Sequence, residues 1–207
     1  MDSIIFDLDG TLWDSGESVT ASWNYVIKHF TDFNITVEEE FLTSLFGRPM
    51  NELLKGVFPN APKEELTRLT PILYDHINNG LLLRPGHLYE GVEETLKLLS
   101  RKVPLFIVSN CQCGYIEAFL EGCHMTPYFK DHLCFGVTNT SKDLTMKKLI
   151  EKYGLKSPVY VGDTLGDYEA CQKAEVPFVF AKYGFGDVPE ATLSIDSMRD
   201  LPRRLNL

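Results

Sequence analysis

The chain has 207 residues, of which 44% are hydrophobic and 24% are charged, a composition typical of a globular protein with one large domain or two modest ones. Its 20 Lys and Arg residues against 29 Asp and Glu residues give a formal net charge of −9, the wrong sign for a protein that binds nucleic acid or a membrane surface. An acidic protein of this kind needs a cation at its site to bind a small anionic molecule.

The first predicted element is a strand over residues 3–6, followed at once by two carboxylates, Asp7 and Asp9, and by Gly10 and Thr11. The unbroken apolar run predicts a strand that is buried on both faces. Two like charges at the end of such a strand repel each other and resist desolvation, so fold stability gives no reason for them. The pair therefore indicates a functional site.

Residues 15–83 contain no convincing strand, and a connection of that length is far longer than one crossover requires. Apolar residues at helical spacing from Val19 to Phe30 predict a first helix. A capping box over Thr36–Glu39 predicts a second helix that ends near Phe46. Two more helices are expected over residues 49–57 and 62–78, the last kinked or split by Pro71.

Three further strands are predicted over residues 103–108, 159–161 and 176–181, with helices over 93–99, 144–153 and 165–174 and a cap at Gly154. This alternation predicts an α/β fold with a doubly wound, Rossmann-like parallel sheet. We expect an α/β core of residues 1–14 and 84–207 and a small all-helical cap domain of residues 15–83, inserted after the first strand. Turn-forming residues at 14–16 and 83–86 are the expected hinges.

Polar side chains follow three of the predicted strands, at the edge where parallel sheets bind ligands. These residues are Asp7 and Asp9, Ser109 and Asn110, and Asp163 and Asp167. Four carboxylates at one edge need a hard cation, and Mg²⁺ suits an all-oxygen site better than Zn²⁺. A carboxylate beside the metal can attack a phosphoryl group, a second carboxylate can act as acid and base, and a lysine can balance the remaining charge.

In chain order, these segments resemble the four motifs of the haloacid dehalogenase superfamily, in its branch of phosphoglycolate phosphatases and β-phosphoglucomutases. The matching segments are residues 6–11, Ser109 with Asn110, Lys142, and residues 162–167. The resemblance implies that Asp7 is the nucleophile and Asp9 the acid/base. It implies Mg²⁺ held by Asp7, the backbone carbonyl of Asp9, and Asp163, with Asp167 assisting either through water or from behind the direct ligands. Ser109 would act in catalysis, and Thr11 and Asn110 would contact the substrate.

The lysine and the substrate loop match the family less closely. Lys142 lacks the proline that follows this lysine in many relatives, and Lys147 and Lys148 lie close by. Lys142 is favoured because it precedes the predicted helix, near the expected edge of the crevice, whereas Lys147 and Lys148 are expected on a solvated helix face. Residues 46–49, Phe-Gly-Arg-Pro, resemble the loop by which a cap touches substrate. Arg48 would then contact a second anionic or hydroxyl group of the substrate; the alternative is an ordinary exposed arginine.

Among the activities of the superfamily, the residues favour a phosphatase that acts on a small phosphate monoester. Asp9 argues against a dehalogenase or a phosphonatase. Thr11, and Val19 with Thr20 where mutases carry a histidine, argue against a sugar phosphomutase. A β-phosphoglucomutase-like transferase, an inorganic pyrophosphatase and a regulatory protein that binds a phosphate ligand remain alternatives.

The expected location is the cytoplasm. The five cysteines are odd in number and scattered, which is not typical of a disulfide framework and indicates a reducing compartment. No apolar stretch approaches the length of a membrane span, and no basic region precedes the first apolar run. The expected partner is therefore a small phosphate ester, with no nucleic acid and no membrane.

Overall fold

The structure, a computed structural model, describes all residues, 1–207. Its strands are β1 (Ser3–Phe6), β2 (Trp13–Asp14), β3 (His87–Leu88), β4 (Leu105–Ser109), β5 (Asp131–Cys134), β6 (Pro158–Gly162), β7 (Phe178–Ala181) and β8 (Ser194–Ile195). Its helices are α1 (Gly16–Phe30), α2 (Glu39–Thr43), α3 (Met50–Val57), α4 (Lys63–Leu83), α5 (Val92–Leu99), α6 (Tyr115–Gly122), α7 (Phe135–Thr138), α8 (Lys142–Tyr153), α9 (Leu165–Ala174) and α10 (Leu201–Arg204).

Six strands form one sheet in the order β5-β4-β1-β6-β7-β8, and every neighbouring pair is parallel. The predicted doubly wound α/β fold is confirmed. Because β1 lies between β4 and β6, the chain builds one half of the sheet on one side of β1 and then crosses to build the other half. This change of direction opens a crevice beyond the carboxyl end of β1, where Asp7 follows the strand.

Helices cover both faces of the sheet. Ile4 and Phe6 of β1 belong to the hydrophobic cluster that contains residues of α5 and α6, whereas Ile5 belongs to the cluster that contains residues of α8 and α9. Successive strand residues point to opposite faces, so both faces of β1 must be apolar. This double burial explains the unbroken apolar runs of β1, β4, β6 and β7.

The segment between β2 and β3 is helical, as predicted, and consists of α1 to α4. Buried residues of α1, among them Val19, Trp23 and Ile27, lie on the helix face that packs against α4. The two chain segments that enter and leave this region pair as a short antiparallel sheet, with Trp13 opposite Leu88. The two connections that the sequence predicts as hinges therefore lie side by side.

The capping box predicted at Thr36–Glu39 is wrong, because α2 begins at Glu39 and ends at Thr43 instead of running to Phe46. Asn24 of α1 accounts for this difference. Its side chain donates to the carbonyl of Val37 and accepts from the amide of Val37, both at 2.8 Å. These bonds tie the Val37 backbone to α1, and residues 31–38 remain outside any helix.

Pro71 does not split the fourth helix of this region. The helix α4 continues from Lys63 to Leu83 with Pro71 on its exposed side. Leu69 and Leu73, on either side of the proline, are both buried, so packing holds the helix on both sides of the lost hydrogen bond. No helix of the structure, α4 included, is both long and apolar enough to cross a membrane.

Two strands of the sheet were not predicted. One is β5, Asp-His-Leu-Cys, which is only partly buried at the sheet edge, and the other is β8, which has two residues. Neither presents the apolar run that identifies a central strand. Most other boundaries differ by one to three residues, but α4 ends five residues beyond its expected end, and the helices α6, α7 and α10 were not expected. The helix α8 begins at Lys142, which the sequence places just before the helix.

Candidate active site

Three carboxylates meet beyond the ends of β1 and β6. Asp7 follows β1, Asp163 follows β6, and Asp167 lies in the first turn of α9. One oxygen of each lies within 4.8 Å of the others, and all three residues are buried. The sequence-predicted acidic residues Asp7, Asp163 and Asp167 are thus brought together, whereas the carboxylate of Asp9 is not part of this group.

Lys142, the first residue of α8, is the cation of this acidic group. Its Nζ donates to Asp7 Oδ1 at 2.9 Å and to Asp167 Oδ1, and its side chain is 4% exposed. Lys147 and Lys148 are exposed, and Lys148 Nζ contacts only Thr138 and Thr140. Of the three candidate lysines, Lys142 alone reaches the carboxylates.

Asp167 is held in place by its own helix. Thr164 is the N-cap of α9 and forms a capping box with Asp167, whose Oδ2 accepts from the Thr164 amide at 3.0 Å and from the Thr164 hydroxyl at 2.7 Å. Its other oxygen, Oδ1, contacts Lys142. Both oxygens of Asp167 therefore have partners in the chain.

Asp163 is held by the loop after β1 and by the loop after β7. Its Oδ1 accepts from the Thr11 hydroxyl at 3.2 Å, and its Oδ2 accepts from the Phe185 amide at 2.9 Å. Gly10 has a φ of +78°, and a Cβ there would overlap the Asp163 carboxylate. The glycine is needed both for the turn and for this close approach. Thr11, expected to contact substrate, donates to this carboxylate in the structure.

Burial governs the acid–base character of the acidic group. Burial raises the pKa of Asp7, and the nearby charge of Asp167 raises it further, while Lys142 opposes the shift. Burial also raises the pKa of Asp163, again with Asp167 contributing. Burial alone would lower the pKa of Lys142, but Asp167 and Asp7 outweigh it, so its pKa lies above the ordinary value. The lysine therefore stays charged, and the site carries more negative than positive charge.

The Asp9 carboxylate lies apart from the group of Asp7, Asp163 and Asp167 and is surrounded by hydrogen-bond donors. Its Oδ1 accepts from Trp13 Nε1 at 2.9 Å, from Ser15 Oγ at 2.6 Å and from Tyr115 OH at 2.9 Å. Its Oδ2 accepts no hydrogen bond within the chain. Burial raises the pKa of Asp9 to about 6, although the three hydrogen bonds lower it. Such a pKa lies close to neutrality, where a group can both donate and accept a proton.

The three donors to Asp9 were not identified from the sequence. Trp13 and Ser15 lie close to Asp9 along the chain, and this nearness in sequence could have indicated that their side chains reach its carboxylate. Tyr115 is 106 residues away and opens α6, six residues after Ser109. Nothing in the sequence connects Tyr115 with Asp9, because their contact depends on the pairing of β1 with β4.

A small cavity of about 50 Å³ lies next to Asp7 and Asp9. At roughly 10–15 Å³ for each water molecule, it has room for a few waters or one small organic group. Its lining combines Asp7, Asp9, Ser109, Asn110, Gln112, Tyr115 and Arg48 with apolar side chains of the helical region, namely Val19, Trp23, Met50, Leu53 and Ile77. The sequence-predicted residues Ser109, Asn110 and Arg48 are therefore at the cavity, and Thr11 is not.

The loop of residues 46–49 closes over the carboxyl edge of the sheet. The carbonyl of Gly47 accepts from Asn110 Nδ2 at 2.7 Å, and the ring of Phe46 packs edge-on against Phe185 with their centroids 5.5 Å apart. These contacts join the helical region to two loops of the sheet. They bring Arg48 to the cavity, although much of its side chain remains exposed.

Comparison with known proteins identifies relatives along nearly the whole chain. Residues 4–181 match the family model described as "Haloacid dehalogenase-like hydrolase". A phosphoglycolate phosphatase of Agrobacterium fabrum is 29% identical over 95% of this chain and 87% of its own length. A phosphoglycolate phosphatase of Photobacterium profundum is 27% identical over 88% of this chain and 83% of its own length.

Solved structures share the same fold. The crystal structure of a predicted phosphoglycolate phosphatase from Haemophilus somnus superposes with a TM-score of 0.85 at 22% identity. The match covers 98% of this chain and 97% of the other. At this identity the likeness supports the fold alone, and it includes the helices between β2 and β3 as well as the sheet.

Proposed function

The chain belongs to the haloacid dehalogenase-like hydrolases and is a phosphatase of that family, and we propose that it hydrolyses a small phosphate monoester through an aspartyl-phosphate on Asp7, with Mg²⁺ as its cofactor. Phosphoglycolate is the first candidate substrate, because the relatives from Agrobacterium fabrum and Photobacterium profundum carry that name. The observation that carries the proposal is the position of Asp7, a buried carboxylate between a lysine and two further carboxylates at the edge of a small cavity.

Asp7 is the proposed nucleophile. Lys142 Nζ and Asp7 Oδ1 are 2.9 Å apart, and this bond fixes the carboxylate while Oδ2 accepts no hydrogen bond within the chain. A carboxylate held by one oxygen has the other available for attack in line on phosphorus. The phosphoryl group would move from the ester oxygen to Asp7 Oδ2, and water would then release it as inorganic phosphate.

Asp9 is the proposed acid and base. It lines the same cavity as Asp7, and its pKa of about 6 allows both protonation states near neutrality. The protonated form would give its proton to the leaving oxygen of the ester. The resulting carboxylate would then take a proton from the water that attacks the phosphorylated Asp7.

The acidic group fits a hard divalent cation. Its donor atoms are carboxylate oxygens only, and three carboxylates with one lysine leave a formal charge of −2 in a buried site. Asp7 and Asp163 would hold Mg²⁺ with the backbone carbonyl of Asp9, and Asp167, which contacts Lys142, would support the site. When bound there, Mg²⁺ would neutralise charge on the phosphoryl oxygens and orient them.

The helices of residues 15–83 are proposed to act as a cap. Loop 46–49 contacts Asn110, and apolar residues of α1, α3 and α4 line the cavity, so the closed cap excludes water from the reacting groups. Ser109 and the remaining N–H of Asn110 would donate to the phosphoryl oxygens. Arg48 is a cation at the cavity, which favours a leaving group with a carboxylate or hydroxyl, and the small volume favours a small leaving group.

No histidine lines the cavity, and Val19, twelve residues after Asp7, contributes an apolar wall. The resemblance implies a histidine near this position in sugar phosphomutases, and the cavity has none there. This observation favours a phosphatase over a mutase.

The test is a panel of small phosphate esters, assayed for inorganic phosphate with Mg²⁺ and with a chelator. We expect turnover that requires Mg²⁺, with the highest kcat/KM for esters that carry a carboxylate. Asp7→Asn should abolish turnover and Lys147→Met, at an exposed lysine, should not. Isomer formation without phosphate release would indicate a mutase, cleavage of pyrophosphate alone a pyrophosphatase, and binding without turnover a regulatory protein.

A further inference from the structure

The hydroxyl of Tyr115 occupies an unusual place beside the proposed acid/base. Tyr115 is 4% exposed, and its OH lies 2.9 Å from Asp9 Oδ1 and 2.8 Å from Ser15 Oγ. A buried phenol hydroxyl needs a hydrogen-bond partner, and the hydroxyl of Tyr115 donates to a carboxylate. The bond cannot be explained as a surface contact, because both the ring and the hydroxyl lie inside the molecule.

All three donors to Asp9 converge on the same oxygen. Trp13, Ser15 and Tyr115 each donate to Oδ1, and none donates to Oδ2. A carboxyl group bound in this way cannot rotate without losing three hydrogen bonds. The arrangement therefore selects Oδ2 as the oxygen that carries the proton to or from the substrate.

The three residues that donate to Asp9 lie on different parts of the fold. Ser15 is the N-cap residue of α1, so it would move with the helical region. Tyr115 is on α6, which covers the sheet, and it stays with the strand ends that position Asp7. Tyr115 therefore ties Asp9 to the α/β core, whereas Ser15 ties it to the start of the helical region.

The same helix also holds the indole of Trp13. The Trp13 ring packs edge-on against Tyr115 and against Phe119, with centroid distances of 6.0 Å and 5.0 Å. Both Tyr115 and Phe119 lie on α6. One helix therefore supplies one donor to Asp9 directly and fixes the ring that supplies another.

We infer that Tyr115 is a positioning residue for acid–base catalysis: its hydroxyl, donated from α6, holds Asp9 so that Oδ2 faces the leaving oxygen of the ester and later the attacking water. Tyr115 acts through Asp9 and contacts no reacting atom. The inference rests on the proposed function, because it needs Asp9 to transfer the proton.

A double-mutant cycle distinguishes this role from a merely structural one. The kcat and KM for the best ester of the panel are measured for wild type, Tyr115→Phe, Asp9→Asn and the double variant, the Asp9→Asn forms at higher enzyme concentration. Tyr115→Phe should lower kcat about ten-fold with KM changed less than about two-fold, because a hydrogen bond to a charged group is lost. In the Asp9→Asn background the same substitution should change kcat less than about two-fold.

Tyr153→Phe is the matched control. Its hydroxyl also donates to a carboxylate, Asp131 Oδ2 at 2.8 Å, but far along α8 from the site. This variant should keep wild-type kcat. Thermal unfolding of each variant shows whether it is folded, and p-aminophenylalanine in place of Tyr115 keeps a donor on the same ring and should recover at least half of the lost kcat.

The outcomes are distinct. Equal losses from Tyr115→Phe in the wild-type and Asp9→Asn backgrounds, no loss in either, or no recovery by p-aminophenylalanine would overturn the inference while leaving the phosphatase intact. If the wild-type protein releases no phosphate from any ester with Mg²⁺, the proposed function fails and the inference fails with it.

Discussion

Replacing Lys142 by Met tests the electrostatics of the site in a single measurement. The Lys142 side chain is 4% exposed, and its Nζ lies 2.9 Å from Asp7 Oδ1 and contacts Asp167 Oδ1. Methionine keeps most of the aliphatic chain and removes the charge. The buried group would then hold three carboxylates with no cation, a formal charge of −3 in place of −2.

The expected loss follows from the geometry. At an effective dielectric constant of about 20, two unit charges separated by about 2.9 Å attract each other by roughly 6 kcal/mol. Removing the lysine also removes the cost of its own burial, which is the first cause acting on its pKa. Breaking a buried pair by removing one partner typically costs about 3–5 kcal/mol. We therefore expect Lys142→Met to lower the free energy of unfolding by about 3–5 kcal/mol without divalent cations.

Urea unfolding measures this loss, with the fluorescence of the two buried tryptophans, Trp13 and Trp23, as the signal. Saturating Mg²⁺ should recover more stability in Lys142→Met than in wild type, because the variant site is more negative. Lys147→Met, at an exposed lysine of the same helix, should stay within about 0.5 kcal/mol of wild type. A Lys142→Met variant as stable as wild type in a chelator would refute the reasoning.

Four other substitutions have defined outcomes. Thr20 Oγ1 is buried and has no hydrogen-bond partner, so Thr20→Val should raise the free energy of unfolding by about 1 kcal/mol, or the Tm by about 2–4 °C. Thr145 is a buried threonine that forms hydrogen bonds with its neighbours, so Thr145→Val should lower both quantities. Arg48→Ala should raise KM about ten-fold for a carboxylate-bearing ester and leave KM for ethyl phosphate unchanged, and equal effects on both esters would contradict the assigned contact. Gly10→Ala should weaken Mg²⁺ binding measured by calorimetry, because its Cβ displaces Asp163; unchanged affinity would show that the loop adjusts.

The central strands and the first acidic residues could be predicted because their signals are local. A strand buried on both faces must be an apolar run, and β1 was predicted with both of its ends correct. A carboxylate that follows such a run has no structural explanation, so Asp7 stood out. The helix of Asp167 was recognised in the same way, from its periodicity and its position after β6.

The misplaced elements depended on contacts between distant residues. Nothing near Thr36 shows that Asn24 binds the Val37 backbone. Nothing near Pro71 shows that α4 packs against α1 with buried residues on either side of the proline. The edge strand β5 forms because its neighbour β4 presents unpaired backbone groups to it. In each case local propensity was outweighed by tertiary packing.

The sequence by itself determined the fold class and the order of the acidic motifs, because burial and turn formation leave periodic and local marks along the chain. The family followed from the resemblance of those motifs to known ones. Only the tertiary structure decided which lysine faces Asp7, which oxygen of Asp9 is left without a donor, and that Tyr115 and Ser15 share that carboxylate. These contacts join residues up to 135 positions apart. Hydrogen bonds of about 3 Å depend on how strands and helices pack in three dimensions, and no pattern along one chain records that distance.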